Sequence, residues 1–139
     1  MTTVKQNKTV YLIDDDKIFN IIHAKTIERE GYADKIESFV NGAEAIDRLH
    51  QLIKDGSAPF PDVIFLDINM PVMDGWEFLD EYVTLPQHLL EKCKVLMLSS
   101  SIDSNDIERS KTYKMVFEYI SKPLTIDKLN KIFTEGEGS

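Results

Sequence analysis

Basic residues are in short supply in this chain. Sixteen Lys and Arg face 24 Asp and Glu, giving a formal net charge of −8. A chain of that sign carries no electrostatic footprint of its own for nucleic-acid phosphates. Cysteine is nearly missing: Cys93 alone cannot form an internal disulfide, and a solitary thiol suits a reducing compartment. No apolar stretch approaches the ~18 residues of a membrane span, and the opening MTTVKQNKTV lacks the apolar run of a secretion signal. Neither GxGxxG nor GxxxxGK[ST] occurs, which argues against the glycine-rich phosphate cradles of dinucleotide and P-loop nucleotide binders. What remains is the expectation of a cytoplasmic protein with no direct hold on nucleic acid or membrane.

The 139 residues are about the length of one ordinary domain, and 42% hydrophobic content supplies a core. Short apolar runs recur at Val10–Ile13, Ile36–Val40, Val63–Leu66, Val95–Leu98 and Phe117–Ile120. Several are continuously apolar rather than alternating, as expected of strands covered on both faces. Helical spacings separate them. Ile18, Ile21 and Ile22 mark the first helix, with Gly31 as its stop. Ala45, Ile46, Leu49, Leu52 and Ile53 mark a second, and Trp76, Leu79 and Val83 a third. The last carries Ile126, Leu129, Ile132 and Phe133 on one stripe behind a Thr125 cap. Between them, Ser104–Lys114 has Asp103 or Ser104 as a possible cap but little apolar content, so a helix there should be loosely held. Strands alternating with helices predict an α/β fold: a doubly wound, five-stranded parallel sheet with helices on both faces. The terminal EGEGS, residues 135–139, reads as a disordered tail or scar outside the domain of residues 1–134.

In such a sheet, ligands bind outside the carboxyl ends of the strands. The first strand is followed by Asp14, Asp15 and Asp16; the third ends in Asp67; the fourth in Ser99 and Ser100; the fifth in Ser121, Lys122 and Pro123. Four segments thus deliver carboxylates, hydroxyls and an ammonium to one edge. Two carboxylates about 4 Å apart repel by roughly 4 kcal/mol at an effective dielectric of about 20. Asp14, Asp15 and Asp67 together ask for a hard divalent ion, and Mg²⁺ favours a few carboxylates, water and a phosphate oxygen. With Lys122 counted, the site comes near neutrality and is poised to respond to an arriving phosphoryl group. Asp16 is read as a helix cap instead.

The segments LIDDD, LDINMPVMDGWEF, VLMLSSS and YISKP, in that order and spacing, resemble the signatures of response-regulator receiver domains of two-component signalling, and NGAEAIDRL resembles that family's second helix. The resemblance spans about Thr9 to Phe133 and implies a flavodoxin-like fold with strand order 2-1-3-4-5. It implies that Asp67 is the phosphorylated aspartate and that Mg²⁺, or Mn²⁺ in its place, is held by Asp14, Asp15, Asp67 and the backbone carbonyl of Asn69. Ser99 matches the switch hydroxyl, Lys122 the phosphoryl-pairing lysine and Tyr119 the aromatic switch position. Pro71 and Gly75 match loop-shaping positions, as does Pro123, a proline often cis in the family. Asn69 and Ser101 match positions that border the approach of hydrolytic water. The implied partners are a sensor histidine kinase or phosphotransfer protein, and a downstream protein target on the surface of the Ser104–Lys114 segment, the fifth strand and the last helix.

An alternative is a haloacid-dehalogenase-like phosphohydrolase, which also uses a nucleophilic Asp on a related sheet. Those enzymes want Asp-x-Asp, whereas Asp67-Ile68-Asn69 puts an amide where the proton donor belongs. The chain therefore reads as a phosphoacceptor, catalysing only its own phosphorylation and dephosphorylation. Three features depart from the family. Lys114-Met115-Val116 stands where Gly-Ala is usual before the fifth strand, and Gln51–Pro61 and Leu85–Lys92 are longer than in a minimal receiver. His23, His50 and His88 avoid the strand ends, Cys93 reads as inert, and Trp76 and Phe78 as packing residues.

Overall fold

A computed structural model describes residues 8–100 and 103–135. The strands are β1 (Thr9–Ile13), β2 (Lys35–Phe39), β3 (Val63–Asp67), β4 (Lys94–Ser99) and β5 (Val116–Ser121). The helices are α1 (Lys17–Arg29), α2 (Gly42–Asp55), α3 (Gly75–Tyr82), α4 (Gln87–Leu90), α5 (Ser104–Ser110) and α6 (Ile126–Glu135). The sheet is parallel throughout, in the order β2-β1-β3-β4-β5. Every residue of β1 and β3 is buried, as continuous apolar runs require in a sheet with two covered faces. One face packs Tyr11, Ile13, Leu66 and Met97 against Ala45 and Leu49 of α2 and Phe78, Leu79 and Tyr82 of α3. The other packs Leu12, Phe65 and Leu98 against Ile27 of α1 and Leu129, Ile132 and Phe133 of α6.

The expected start and stop signals act locally. Asp16 caps α1 by accepting the amides of Ile18 and Phe19, and Gly31 takes a φ of 76° just past the helix end. The Thr125 hydroxyl accepts the Lys128 amide at the start of α6, and Asp103 caps α5 through Asn105.

Three readings of the helices need correction. Ile18, Ile21 and Ile22 are 69%, 55% and 55% exposed, and α1 buries Asn20, His23 and Ile27 instead. Apolarity marks the outer face of α1 because polar Asn20 and His23 occupy the inward stripe, each for a reason found at the site. Val83 lies just past α3 and is exposed, while Phe78 and Tyr82 do the packing. The longer Leu85–Lys92 connection contains a helix that periodicity missed, α4, which is too short to show a stripe. The outermost members of two other stripes, Ile53 and Ile126, are also exposed.

The weakly apolar α5 buries only Ser110 along its length, in keeping with its composition. It is nevertheless fastened at its far end. The Arg109 guanidinium lies 4.4 Å from the Trp76 ring, Tyr113 stacks on Trp76 at 6.0 Å, and the Tyr113 hydroxyl donates to Asp80 at 2.8 Å. Such cation–π contacts are worth about 0.5–1 kcal/mol at exposed sites. The atypical Lys114-Met115-Val116 segment enters β5 through a turn in which the Val116 amide donates to Tyr113, and the β4–β5 register then shifts between Val95 and Leu96. The irregularity falls in an edge strand whose Phe117 and Glu118 are exposed.

The loop leaving β3 is tightly drawn. The Met73 amide donates to the Pro71 carbonyl at 2.7 Å around Val72, a β-branched residue held at a φ of 67°, which costs about 1–3 kcal/mol. The Gly75 amide closes the loop onto the Ile68 carbonyl at 2.9 Å. A Cβ on Gly75 would stand 2.7 Å from the Asp67 carbonyl oxygen and 3.0 Å from the Ile68 Cα, both unyielding backbone. Gly75→Ala is therefore expected to destabilise the fold by about 1–3 kcal/mol, read as a lower urea midpoint at unchanged slope. An unchanged midpoint would show that the loop end yields freely.

Candidate functional site

The carboxyl edge of the sheet gathers Asp14 and Asp15 after β1, Asp67 at the end of β3, Ser99 at the end of β4 and Lys122 after β5. Asp14, Asp67 and Ser99 are buried, while Asp15 is exposed. One carboxylate oxygen from each of Asp14, Asp15 and Asp67 lies within 4.8 Å of the others. The Lys122 Nζ stands 2.8 Å from Oδ2 of Asp14 and 3.2 Å from Oδ1 of Asp67. One ammonium thus bridges two of three carboxylates.

Each group is held from behind. Asp14 Oδ1 accepts the Asp16 amide at 3.0 Å, and the Asn20 amide side chain donates to the Asp14 carbonyl at 2.9 Å and to that of Phe39 at 3.4 Å. The Lys122 amide donates to the Ser99 carbonyl at 2.8 Å, fixing the β4 and β5 ends together. The Lys122 ammonium also sits 4.6 Å from the Phe19 ring, whose other neighbour is the edge-on imidazole of His23 at 3.8 Å. Burial and the positive charge of Lys122 push His23 down to about 4, so it is neutral at physiological pH. Sequence reasoning missed Phe19, Asn20 and His23 as supports. The available signal was that Asn20 and His23, three apart, share a helix face with Ile27.

The remaining predicted residues fall around this centre. Asn69 is exposed two residues past Asp67, and Pro71 and Gly75 bound the drawn loop just described. The Lys122–Pro123 peptide is cis, matching the family-based expectation. Tyr119 is half-buried in β5 opposite Met97, with its hydroxyl shut away from solvent. Ser101 and residues 136–139 lie outside the described residues. Cys93 is buried and its thiol is pushed up to about 12 by burial, consistent with an inert role. His50 and His88 are exposed and away from the strand ends.

Electrostatically the pocket is over-supplied with negative charge. Burial and the neighbouring Asp14 raise the Asp67 carboxyl to about 6, and Lys122 only partly offsets them. Burial opposes the Lys122 ammonium, yet its two carboxylate partners outweigh that and raise its pKa. The donor set fits a hard divalent cation: three oxygen ligands converge, and the buried Asp14 Oδ2 has a charge partner but no directed hydrogen bond.

A doubly wound parallel sheet with a cation-accepting acidic pocket at its carboxyl edge is the class these features define. The chain belongs to the response regulator receiver domain family, which matches residues 10–134. It is 35% identical to a two-component response regulator from Cytophaga hutchinsonii of known structure, with a TM-score of 0.83 over 94% of this chain and 97% of that one. It is 28% identical to the rice two-component response regulator ORR41, over 91% of each chain. The phosphorylated cyanobacterial phytochrome response regulator RcpA is 29% identical, with a TM-score of 0.74 over 95% of this chain and 92% of that one. Among the described residues no helix is long and apolar enough to cross a membrane.

The raised Asp67 carboxyl has a measurable consequence. The folded state binds this proton more tightly than the unfolded chain, so its contribution to stability falls as pH rises from about 4 to about 6 and stays reduced above that. In metal-free buffer, Asp67→Asn is expected to unfold at higher urea than wild type at pH 8, with the gain vanishing near pH 4. A gain of equal size at both values would contradict the charge crowding inferred here.

Proposed function

We propose that this receiver domain accepts a phosphoryl group from a phosphohistidine onto Asp67 and passes the change on through protein–protein contact. The observation that carries this reading is the buried Asp67 carboxylate, held 3.2 Å from the Lys122 ammonium and grouped with Asp14 and Asp15. An Asp67 oxygen attacks phosphorus, the bond to the imidazole nitrogen breaks, and imidazole leaves neutral because the donor ring's other nitrogen already carries a proton. Lys122 is placed to follow the charge from carboxylate to phosphoryl oxygen, and Ser99 at the end of the adjacent strand is placed to meet another of those oxygens. Asp14, Asp15 and Asp67, with the Asn69 carbonyl, would hold Mg²⁺ or Mn²⁺, which offsets the charge of the incoming group when bound. The hydrolase alternative gains no support, because Asn69 leaves no acid two residues beyond Asp67.

The exposed Ile18, Ile21 and Ile22 suggest where the donor docks. Helix α1 begins directly behind the acidic residues, and its apolar outer face lies unburied beside the pocket. Val72, 81% exposed in the loop beyond Asp67, adds an apolar group from β3's side. We read this rim as the seat of an apolar helix face on the histidine-bearing kinase or phosphotransfer protein. The downstream target reads the surface at the β5 edge of the sheet: α5, β5 and α6. Moving a two-state equilibrium from 1:99 to 99:1 takes about 5.5 kcal/mol, and charge-assisted bonds from Ser99 and Lys122 at roughly 1.5–3 kcal/mol each supply that only together. Tyr119, in β5 two positions before Ser121, the register partner of Ser99, is the side chain placed to carry the change to that surface.

Incubation with acetyl phosphate and Mg²⁺ is expected to add one phosphoryl mass to wild type and none to Asp67→Asn. Asp15→Ala should keep the acceptor but require at least about tenfold more Mg²⁺ for the same rate. Equal mass gain in wild type and Asp67→Asn would overturn the assignment of the acceptor.

A further inference from the structure

Lys128, on the first turn of α6, points back at the loop that carries Lys122. Its Nζ donates to the Ser121 carbonyl at 2.7 Å and the Pro123 carbonyl at 3.1 Å, and lies 3.4 Å from the Ser121 hydroxyl. These acceptors bracket Lys122 on both sides in sequence. An ammonium has three donors, and all three directions are used on this one loop. The acceptors are carbonyls and a hydroxyl rather than a carboxylate, so the contact reads as a clamp on backbone geometry and not as a surface ion pair. Its base is firm: Leu129, Ile132 and Phe133 of the same helix are buried in the core.

We propose that Lys128 is a positioning residue for Lys122, holding the loop so that the Lys122 ammonium reaches the Asp67 oxygen on which phosphoryl is received. The restraints on Lys122 divide accordingly. Its amide is tied to β4 through Ser99, its ammonium to Asp14 and Asp67, and its flanking carbonyls to α6 through Lys128. The last is the restraint that α6 adds, beside the Phe19 ring of α1 that faces the ammonium. Loss of Lys128 leaves the Ser121 and Pro123 carbonyls to water, and the loop then keeps its sheet-side bonds and the buried Leu124 but loses the hydrogen bonds that set its carbonyls. A displacement of about 1 Å in a positioning contact can cost 10²-fold in rate.

The inference rests on Asp67 being the phosphoryl acceptor, and the test separates the two ideas. Second-order rate constants for Mg²⁺-dependent phosphorylation by acetyl phosphate are compared for wild type, Lys128→Ala, Lys128→Arg, Lys122→Ala and the double variant Lys122→Ala/Lys128→Ala. Lys128→Ala is expected to slow the reaction about 10- to 100-fold, and Lys128→Arg to stay within about threefold of wild type. In the Lys122→Ala background the Lys128→Ala change should have no further effect, since Lys128 works through Lys122. A Lys128→Ala rate within about twofold of wild type, or the same loss with and without Lys122, overturns the proposal. Should wild type take up no phosphoryl group, the acceptor reading fails instead, and the Lys122 ammonium resonance decides the clamp. That ¹⁵N signal is expected to broaden or shift in Lys128→Ala without any phosphodonor; an unchanged signal overturns the proposal.

Discussion

One ammonium set among three carboxylates is the interaction on which the rest of this structure turns. Lys122 bridges Asp14 and Asp67 at 2.8 and 3.2 Å, and Asp15 completes the cluster, with no second lysine paired to it among the described residues. Taking two carboxylates out of water beside one another is unfavourable, and the raised Asp67 carboxyl records that cost. The fold is arranged to impose it. Parallel strands end at one edge, so residues scattered from position 14 to position 122 arrive within a few ångströms. The Asn20 bonds, the loop closed by Gly75 and the Lys122–Ser99 backbone bond keep the ends from relaxing apart.

A site under that strain in charge is responsive. A divalent cation and a phosphoryl group bring opposite charges, so each makes the other's arrival easier, and thermodynamic linkage requires the two effects to be equal. On the function proposed above, the response would reach the outside through elements of unequal firmness. Helix α6 is anchored in the core through three buried apolar residues. Helix α5 buries little and relies on the Trp76, Arg109, Tyr113 and Asp80 contacts at its far end. An element held at one end is where a rearrangement costs least.

Most of the architecture was legible in the sequence, because buried parallel strands are written as unbroken apolar runs and their carboxyl ends as the residues that follow. VIFLD and TVYLI needed no context to be read. The acidic cluster was legible for the same reason. The first helix was not: Asn20 and His23 face inward to support the Asp14 carbonyl and the Phe19–Lys122 contact, so apolarity marked the outer face instead. Helix α4 is shorter than two turns and leaves no period to find. The anchoring of α5 depends on pairing with Trp76 and Asp80 across about thirty residues, which local pattern cannot show. Nothing in the sequence sets Lys128 apart from a solvated helix charge, and only the tertiary path of the β5–α6 loop gives it acceptors.

The most direct test of the charge account is the affinity for beryllofluoride, a phosphoryl mimic, measured across Mg²⁺ concentrations from chelator-treated to saturating. Negligible binding is expected in chelator, with affinity rising with Mg²⁺ and Mg²⁺ affinity raised by beryllofluoride by the same factor. Beryllofluoride binding of equal strength with and without Mg²⁺ would contradict it.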